Sequence, residues 1–342
     1  MWNTHISKLF HALCLKGTTV TFFKMSSSRS LSNVLIYKGE GAKEENVEQL
    51  FKQISRYVSP NKYNIKTISP KETKQGAWRS STALYVIGGG YDLGFITALG
   101  DEGTIKIRDY VRTGGRYLGI CAGAYFACDR IEFDKGGPQQ VCGDRILKFF
   151  PGVCVGPVHG PYNYNIKVSA RAVPLQFTDP HWNPKQSISL KGYFNGGGMF
   201  LPQDLFNKCS ITRDPESYDQ DLSDDVDDKI RQEIKDRHVL GVNAETGNKQ
   251  VKNLNDQQTG TIKDILCHFS EVKGKPLAAI TCKVGEGLAV LSAVHLEMDS
   301  PSLNKQDKFL QPIITQLSPY DGEQERCFGS LLHHAGLDIL SS

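Results

Sequence analysis

Short apolar runs alternate with stretches of helical periodicity in the first part of the chain after residue 32. The apolar runs have the length of buried strands and occupy residues 34–37, 63–68, 83–87 and 117–120. Between them, apolar residues recur at helical spacing over 47–58 and 105–111. Strands that alternate with helices in this way build parallel sheets, so the pattern predicts an α/β fold.

The pattern changes after residue 130. Residues 130–200 contain short runs, many glycines and aromatic pairs, which predicts a β-rich excursion with loops over the sheet. Residues 214–265 are polar and begin with a cluster of aspartates, which is typical of a solvated insertion without order of its own. Two further runs, 277–282 and 288–294, flank a Gly-Glu-Gly turn and predict a hairpin. Residues 327–340 predict a final helix on the sheet.

The first 32 residues differ from the rest in composition. They contain basic residues and several serines but no acidic residue, and one helical face is apolar. This composition is typical of a mitochondrial transit peptide; the alternative is a disordered extension, with Met25 as a second start. We therefore predict a single folded domain over 33–342 and a cytoplasmic or mitochondrial location.

Composition narrows the classes of function. The formal net charge is only +3 and no basic stripe is interleaved with aromatic residues, so we expect no nucleic-acid partner. No apolar run approaches eighteen residues, so we expect no membrane span. The nine cysteines show no C-x-x-C pair and the histidines no ligand spacing. We therefore expect reduced thiols, no metal and no cofactor.

Cys121 carries the clearest chemical signal in the sequence. It follows the apolar run 117–120 within Gly-Ile-Cys-Ala-Gly, and the next residues, including Cys128, are predicted to be helical. Gly119 and Gly123 provide the space that a sharp strand-to-helix turn needs, as in the nucleophile elbow of hydrolases. The free N–H groups of a helix N-terminus favour the reactive thiolate. Taken alone, the motif is more often that of a buried cysteine in a tight turn.

Two further segments supply the groups that a cysteine nucleophile requires. His295 and Glu297 end an apolar run and face the same side of an extended chain, so His295 is the candidate base and Glu297 its orienting partner. Backbone N–H groups of Gly89, Gly90 and Ala122 are candidate donors to an oxyanion. Together these segments predict a Cys–His–Glu site at the carboxyl ends of the strands.

The order of these motifs resembles that of class I glutamine amidotransferase-like domains. Residues 33 to about 300 are similar, more specifically, to the N-terminal domain of eukaryotic biotin–protein ligases. The runs that carry this similarity are 33–37, 88–93, 119–126, 130–133, 149–152, 156–157 and 193–198. The resemblance implies a flavodoxin-like, mostly parallel sheet with Cys121, His295 and Glu297 at the matching triad positions. It also makes Tyr125, Asn195 and Gly196 the candidate residues of the substrate pocket.

Two departures from these families shape the expected function. Tyr125 stands where glutamine amidotransferases usually have a glutamine that helps to hold substrate, so glutamine hydrolysis is not the expected reaction. The sequence has no Gly-Arg-Gly-Arg-type loop, so we do not expect a complete biotin ligase. We expect a thiol-dependent amidase or hydrolase of a small carbonyl or amide ligand. The alternatives are a non-catalytic module that binds a ligand or a biotin-ligase-related protein, and a redox-sensing thiol.

Overall fold

The computed structural model describes residues 33–160, 162–163, 167–182, 186–208 and 259–340. The strands in this part of the chain are β1 (Asn33–Tyr37), β2 (Asn64–Ile68), β3 (Thr82–Ile87), β4 (Arg116–Ile120), β5 (Cys128–Phe133), β6 (Val141–Asp144), β7 (Phe150–Gly156), β8 (Arg171–Thr178), β9 (Ser187–Phe194), β10 (Met199–Pro202), β11 (Thr261–Phe269), β12 (Leu277–Val284) and β13 (Gly287–Ser292). The helices are α1 (Glu44–Tyr57), α2 (Pro70–Gln75), α3 (Asp92–Arg112), α4 (Ala122–Phe126), α5 (Gln203–Lys208), α6 (Gln311–Leu317) and α7 (Asp321–His334).

Five parallel strands form the part of the sheet that carries the motifs. Their order is β2-β1-β3-β4-β13, which is the strand order of flavodoxin-like folds. β3, β4 and β13 are almost entirely buried, because helices cover both faces of such a sheet. The structure confirms the predicted α/β fold and parallel core.

Further strands extend the sheet beyond β13, and all of their pairings are antiparallel except that of β5 with β7. β12 pairs with β13 as the predicted hairpin, and β10, β7, β5 and β6 follow in that order. β11, β8 and β9 form a branch attached to β12. The prediction of a β-rich stretch over 130–200 is therefore confirmed.

Several boundaries differ from the sequence predictions. The helix after Cys121 is only one turn long, and Cys128 is the first residue of β5, buried as expected but not helical. Residues 261–265, assigned to the polar insertion, belong to β11, which pairs with β12 along its whole length. The last helix begins at Asp321 and ends at His334, because Gly336 with φ +85° turns the chain out of the helix.

Some predictions concern residues outside the described ranges. The extension 1–32 and residues 214–258 of the polar insertion lie there. Within the described ranges no helix is long and apolar enough to cross a membrane. The described cysteines are all free thiols, as expected for a protein without a disulfide framework.

Candidate functional site

Cys121 lies in a backbone conformation that non-glycine residues rarely adopt. Its φ is +51° and its ψ −109°, between the end of β4 and the start of α4. A Cβ atom on Gly119 would lie 2.6 Å from the carbonyl oxygen of Gly123, and one on Gly123 would lie 2.0 Å from that of Ile87. The Cys121 N–H donates to the carbonyl of Ser292 at 2.8 Å, which ties the turn to β13. The strained elbow predicted from the sequence is therefore present.

His295 and Glu297 lie three and five residues after Ser292, the last residue of β13. The His295 N–H donates to the carbonyl of Tyr193 at 2.9 Å, and this bridge fixes the segment against β9. His295 Nδ1 lies 2.6 Å from Glu297 Oε1, and His295 lines the same cavity as Cys121. The two side chains are 5% and 0% exposed. The structure thus brings the three predicted triad residues together, with His295 and Glu297 joined by a hydrogen bond.

The charges around His295 favour its protonated form. Burial alone would lower the pKa of His295, but the charges of Glu297 and Cys121 and hydrogen bonds to both outweigh burial and raise the pKa from 6.5 to about 10. The imidazole therefore holds a proton at neutral pH. A protonated histidine beside a cysteine is the arrangement that supports a thiolate.

The Glu297 carboxylate is oriented toward His295. Its Oε2 atom is buried and has no hydrogen-bond partner among the described residues, whereas its Oε1 atom bonds to His295. Its backbone carbonyl accepts a hydrogen bond from Gln49 Nε2 of α1 at 2.9 Å. The carboxylate is thereby aimed at the imidazole, and α1 fixes the turn that carries it.

The glycine loop 88–90 packs against the histidine. A Cβ atom on Gly89 would lie 2.6 Å from His295 Cε1, so only glycine leaves room for the imidazole. A Cβ atom on Gly90 would lie 1.8 Å from the carbonyl oxygen of Gly41. Among the described residues, the N–H groups of Gly90 and Ala122 donate to no backbone carbonyl. The role of Gly89, Gly90 and Ala122 as oxyanion donors stays a prediction.

Two cavities meet at Cys121, and both are partly open to solvent. The aromatic cavity encloses about 320 Å³ and is lined by Gly90, Tyr91, Asp92, Cys121, Ala122, Tyr125, Ile131, Phe133, Tyr162, Asn195 and Gly196. The lysine cavity encloses about 280 Å³ and is lined by Lys43, Asn46, Gly90, Cys121, Tyr162, Lys167, Tyr193, Asn195 and His295. Cys121 thus lies on the wall of both cavities.

The three pocket candidates from the sequence line the aromatic cavity. The Tyr125 hydroxyl donates to the carbonyl of Gly196 at 3.3 Å, and this side chain is only 4% exposed. Asn195 is held by the hydroxyl of Ser169, which donates to its Oδ1 at 2.8 Å, and its carbonyl accepts from Cys121 Sγ at 3.9 Å. Tyr125 thus forms a fixed wall of the cavity.

The lysines of the second cavity were missed by sequence reasoning. Burial, and then the nearby charge of Lys167, lower the pKa of Lys43, while Glu45 and Cys121 act in the opposite direction. The Lys167 ammonium is paired with Glu45. The two lysines lie far apart in the sequence and belong to no motif, so only the fold shows that they share a cavity with Cys121.

A group of metal-binding side chain types lies elsewhere on the molecule. His181, Asp264 and His334 each place one ligand atom within 4.8 Å of the others. From the sequence we expect no metal, because these residues show no ligand spacing. They come from three separate elements, so only the tertiary structure brings them together.

The strand order and the strand-to-helix turn at Cys121 define this protein as an α/β protein with a flavodoxin-like parallel core. The family model for the N-terminal part of biotin–protein ligases matches residues 32–249 and 242–342, and the chain belongs to this family. The resemblance predicted from the sequence motifs is therefore confirmed.

Two relatives show how far this similarity extends. The biotin–protein ligase of Schizosaccharomyces pombe is 33% identical over 180 residues, which are 52% of this chain and 28% of the ligase. A protein of unassigned function from Chlamydia muridarum is 30% identical over 184 residues, covering 53% of this chain and 69% of its own length. The match thus spans less than a third of the ligase.

Solved structures are similar only at low identity. A glutamine amidotransferase superposes with a TM-score of 0.41 at 13% identity, covering 84% of this chain and 99% of its own. A ThuA-like protein of Bacteroides uniformis gives 0.44 at 10% identity, covering 90% and 91%.

Proposed function

We propose that this protein is a thiol-dependent amidase or hydrolase that acts on a small carbonyl compound. The observation that carries the proposal is the buried, hydrogen-bonded pair of His295 and Glu297 beside Cys121, which lines two cavities. A nucleophile, its proton-transfer partner and an orienting carboxylate are the parts that covalent acyl transfer needs.

The proposed reaction proceeds through an acyl-enzyme. Cys121 Sγ attacks the carbonyl carbon of the substrate, and the C=O electron pair moves to oxygen. His295 then gives its proton to the leaving amine or alcohol as the C–N or C–O bond breaks, which leaves a thioester on Cys121. His295 next takes a proton from water as the water oxygen attacks the thioester carbonyl. Collapse of this intermediate breaks the C–S bond, which restores the Cys121 thiolate beside the protonated His295 and releases a carboxylic acid that loses its proton to solvent.

Backbone N–H groups near the Cys121 thiol can stabilise the negative charge that develops on the carbonyl oxygen of the substrate. The N–H groups of Gly90 and Ala122 belong to residues that line the same cavity as Cys121, and Gly89 adjoins the imidazole. Backbone donors in a site shielded from water stabilise an oxyanion strongly. We assign this role to Gly89, Gly90 and Ala122.

The lysine cavity supports a substrate that carries negative charge. Lys43 and Lys167 bring two ammonium groups to the cavity that also contains His295 and Cys121. A carboxylate or phosphate on the substrate would be attracted there, with its reacting carbonyl at the thiol. Tyr125 narrows the aromatic cavity at the position where the glutamine-hydrolysing relatives carry a smaller polar side chain, so the favoured substrate is not glutamine.

Alkylation kinetics test the activated thiol without knowledge of the substrate. We expect iodoacetamide to label Cys121 at pH 7 about tenfold or more faster in the native protein than in His295→Ala, because an ordinary thiol with a pKa near 8.5 is only about 3% ionised there. The rates should converge above about pH 9. Mass spectrometry locates the label, and Cys128→Ser is the matched control. Equal rates in the native protein and His295→Ala at pH 7 would refute an activated nucleophile.

The charge of the alkylating reagent tests the lysine cavity. Iodoacetate is anionic and iodoacetamide is neutral, and the two react at the same thiol. We expect Lys43→Gln and Lys167→Gln each to lower the iodoacetate rate several-fold relative to the iodoacetamide rate, because each removes a positive charge near Cys121. Lys263→Gln, on β11, is the control. An unchanged rate ratio in both cavity variants would exclude an anion-attracting role.

A second candidate function is a non-catalytic module that binds a ligand or a biotin-ligase-related protein. The wall formed by Tyr125 and the membership of a family named for biotin–protein ligases support it. Capture of a purified biotin–protein ligase is the test. Undiminished capture by Cys121→Ser, together with a slowly labelled thiol in the native protein, would favour the module over the enzyme.

The location of the protein is a separate proposal that rests on residues 1–32. Their basic, serine-rich and acid-free composition supports import into mitochondria, with a cytoplasmic location as the alternative. A fluorescent protein carrying only these residues should enter mitochondria. Uniform cytoplasmic fluorescence would show that residues 1–32 are not an import signal.

A further inference from the structure

We infer that His181, Asp264 and His334 form a binding site for a divalent transition-metal ion of the zinc class. One ligand atom from each residue lies within 4.8 Å of the other two. His181 follows β8, Asp264 lies in β11, and His334 is the last residue of α7. None of the three lines the cavities at Cys121, so the inference is independent of the proposed function.

A buried carboxylate supports one of these ligands in the way that metal sites require. Asp179 Oδ1 lies 3.1 Å from His334 Nε2, and the Ser330 hydroxyl donates to Asp179 Oδ2 at 2.5 Å. The His334 and Asp179 side chains are only 2% and 3% exposed. Since Nε2 is engaged by a carboxylate, His334 offers Nδ1 as the ligand atom. Metal-binding histidines commonly have this carboxylate–histidine arrangement, which fixes the tautomer and the ring.

The same carboxylate also fixes the loop that carries the second histidine. The His181 N–H donates to Asp179 Oδ1 at 2.8 Å, and the imidazole rings of His181 and His334 are 5.0 Å apart. Asp179 therefore positions both histidines at once. Their common anchor explains why an exposed loop and a terminal helix bring two imidazoles together.

The third ligand is held from the sheet. The Thr281 hydroxyl of β12 donates to Asp264 Oδ2 at 2.9 Å, and the Lys263 ammonium lies 3.5 Å from the same oxygen, so neither contact uses Oδ1. Two imidazoles and a carboxylate are a ligand set that Zn²⁺ accepts, and His181 is on the solvent side of the group. A fourth position is thus accessible to water or to a ligand. The same donors also suit Fe²⁺, so the two ions have to be separated by titration.

Metal titration of the chelator-treated full-length protein tests the site. We expect one Zn²⁺ to bind per chain, and we expect Zn²⁺ to raise the unfolding midpoint because it binds only the folded state. His181→Ala and Asp264→Asn should each weaken binding at least tenfold. His268→Ala, on the same strand as Asp264, should bind like the native protein. Parallel titration with Fe²⁺ under anaerobic conditions shows which ion the site prefers.

Two further measurements test whether the ion binds through these nitrogen and oxygen atoms or through a thiolate elsewhere. Asp179→Asn should weaken Zn²⁺ binding about 10- to 100-fold, as loss of a supporting carboxylate does. Co²⁺ bound in place of Zn²⁺ should show nitrogen and oxygen ligation without a thiolate charge-transfer band. Unchanged binding in His181→Ala, absence of saturable binding, or a thiolate band would overturn the inference and leave a hydrogen-bonded histidine–carboxylate cluster.

Discussion

At the scale of single residues, the site depends on Gly89, because a glycine has no side chain. Gly89 leaves the space that His295 occupies, and a Cβ atom at this position would also lie 2.5 Å from Asn46 Nδ2. The chemistry of the triad is thus linked to a glycine that lies two hundred residues earlier in the sequence.

Gly89→Ala should therefore affect reactivity more than stability. A methyl group would push the imidazole away from Cys121, and overpacking of this kind costs about 1–3 kcal/mol. We expect the alkylation rate of Cys121 at pH 7 to fall close to that of His295→Ala while the protein stays folded by circular dichroism. Gly322→Ala, where no atom lies within 4 Å of the added carbon, is the control. A native alkylation rate in Gly89→Ala would contradict this account.

The protonation of His295 makes folding stability depend on pH. Its pKa is about 10 in the folded protein and 6.5 ordinarily, so the folded state binds the proton more tightly. The stabilisation is complete below pH 6.5 and is lost as the pH rises to about 10. Urea unfolding should show the difference in free energy between the native protein and His295→Gln shrinking over this range. A difference that is constant from pH 6.5 to 10 would contradict the raised pKa.

At the scale of elements, a buried ion pair joins the glycine loop to the β-rich region. Asp92 is the first residue of α3, directly after the loop, and Arg145 follows β6. Arg145 Nε donates to Asp92 Oδ2 at 2.7 Å, and the side chains of Arg145 and Asp92 are 2% and 8% exposed, respectively. This pair fixes one wall of the aromatic cavity relative to the parallel strands.

Removing one partner of this pair should cost more than removing both. Arg145→Met leaves Asp92 as a buried unpaired charge, which costs about 3–5 kcal/mol, whereas Arg145→Met combined with Asp92→Leu should recover much of that loss. Chemical denaturation of the three proteins measures the difference. Lys135→Met combined with Glu132→Leu, where the lysine is 61% exposed, serves as a control. A double variant no more stable than Arg145→Met would argue against a specific pair.

At the scale of the whole molecule, α7 packs its apolar side chains into the main core. Cys327, Phe328, Leu331 and Leu332 of this helix are buried in the main core. The Phe328 ring packs edge-on against Tyr57 of α1 at 5.5 Å, and the Leu340 N–H donates to the Tyr57 carbonyl at 2.7 Å. The last helix is thus part of the core and also carries His334 of the inferred metal site.

Phe328→Ala should destabilise the protein strongly. The side chain is 1% exposed, and truncation of a buried phenylalanine costs about 3–5 kcal/mol. Phe51→Ala, on α1 at 41% exposure, should cost far less. Thermal unfolding of both variants measures the contrast. Similar midpoints for the two would show that α7 does not belong to the cooperative core.

Much of this architecture was predictable because it is local in the sequence. The apolar runs became β1 to β4, the hairpin became β12 and β13, and the elbow motif became a strained turn at Cys121, since each depends on neighbouring residues. The length of the helix after Cys121 was predicted wrongly. Residues 128–133 pair with β6 and β7, and that pairing with distant strands outweighs local helical preference.

The amino-acid sequence by itself determined the first four strands, the hairpin, the cysteine elbow and the adjacent His295 and Glu297, because each is encoded by residue types at short spacing. Only the tertiary structure decided what surrounds them. The lysine cavity, the Asp92–Arg145 pair and the group of His181, Asp264 and His334 each join residues from distant segments. Such contacts form only when the chain folds and brings distant segments together. A local pattern of residues therefore cannot predict them.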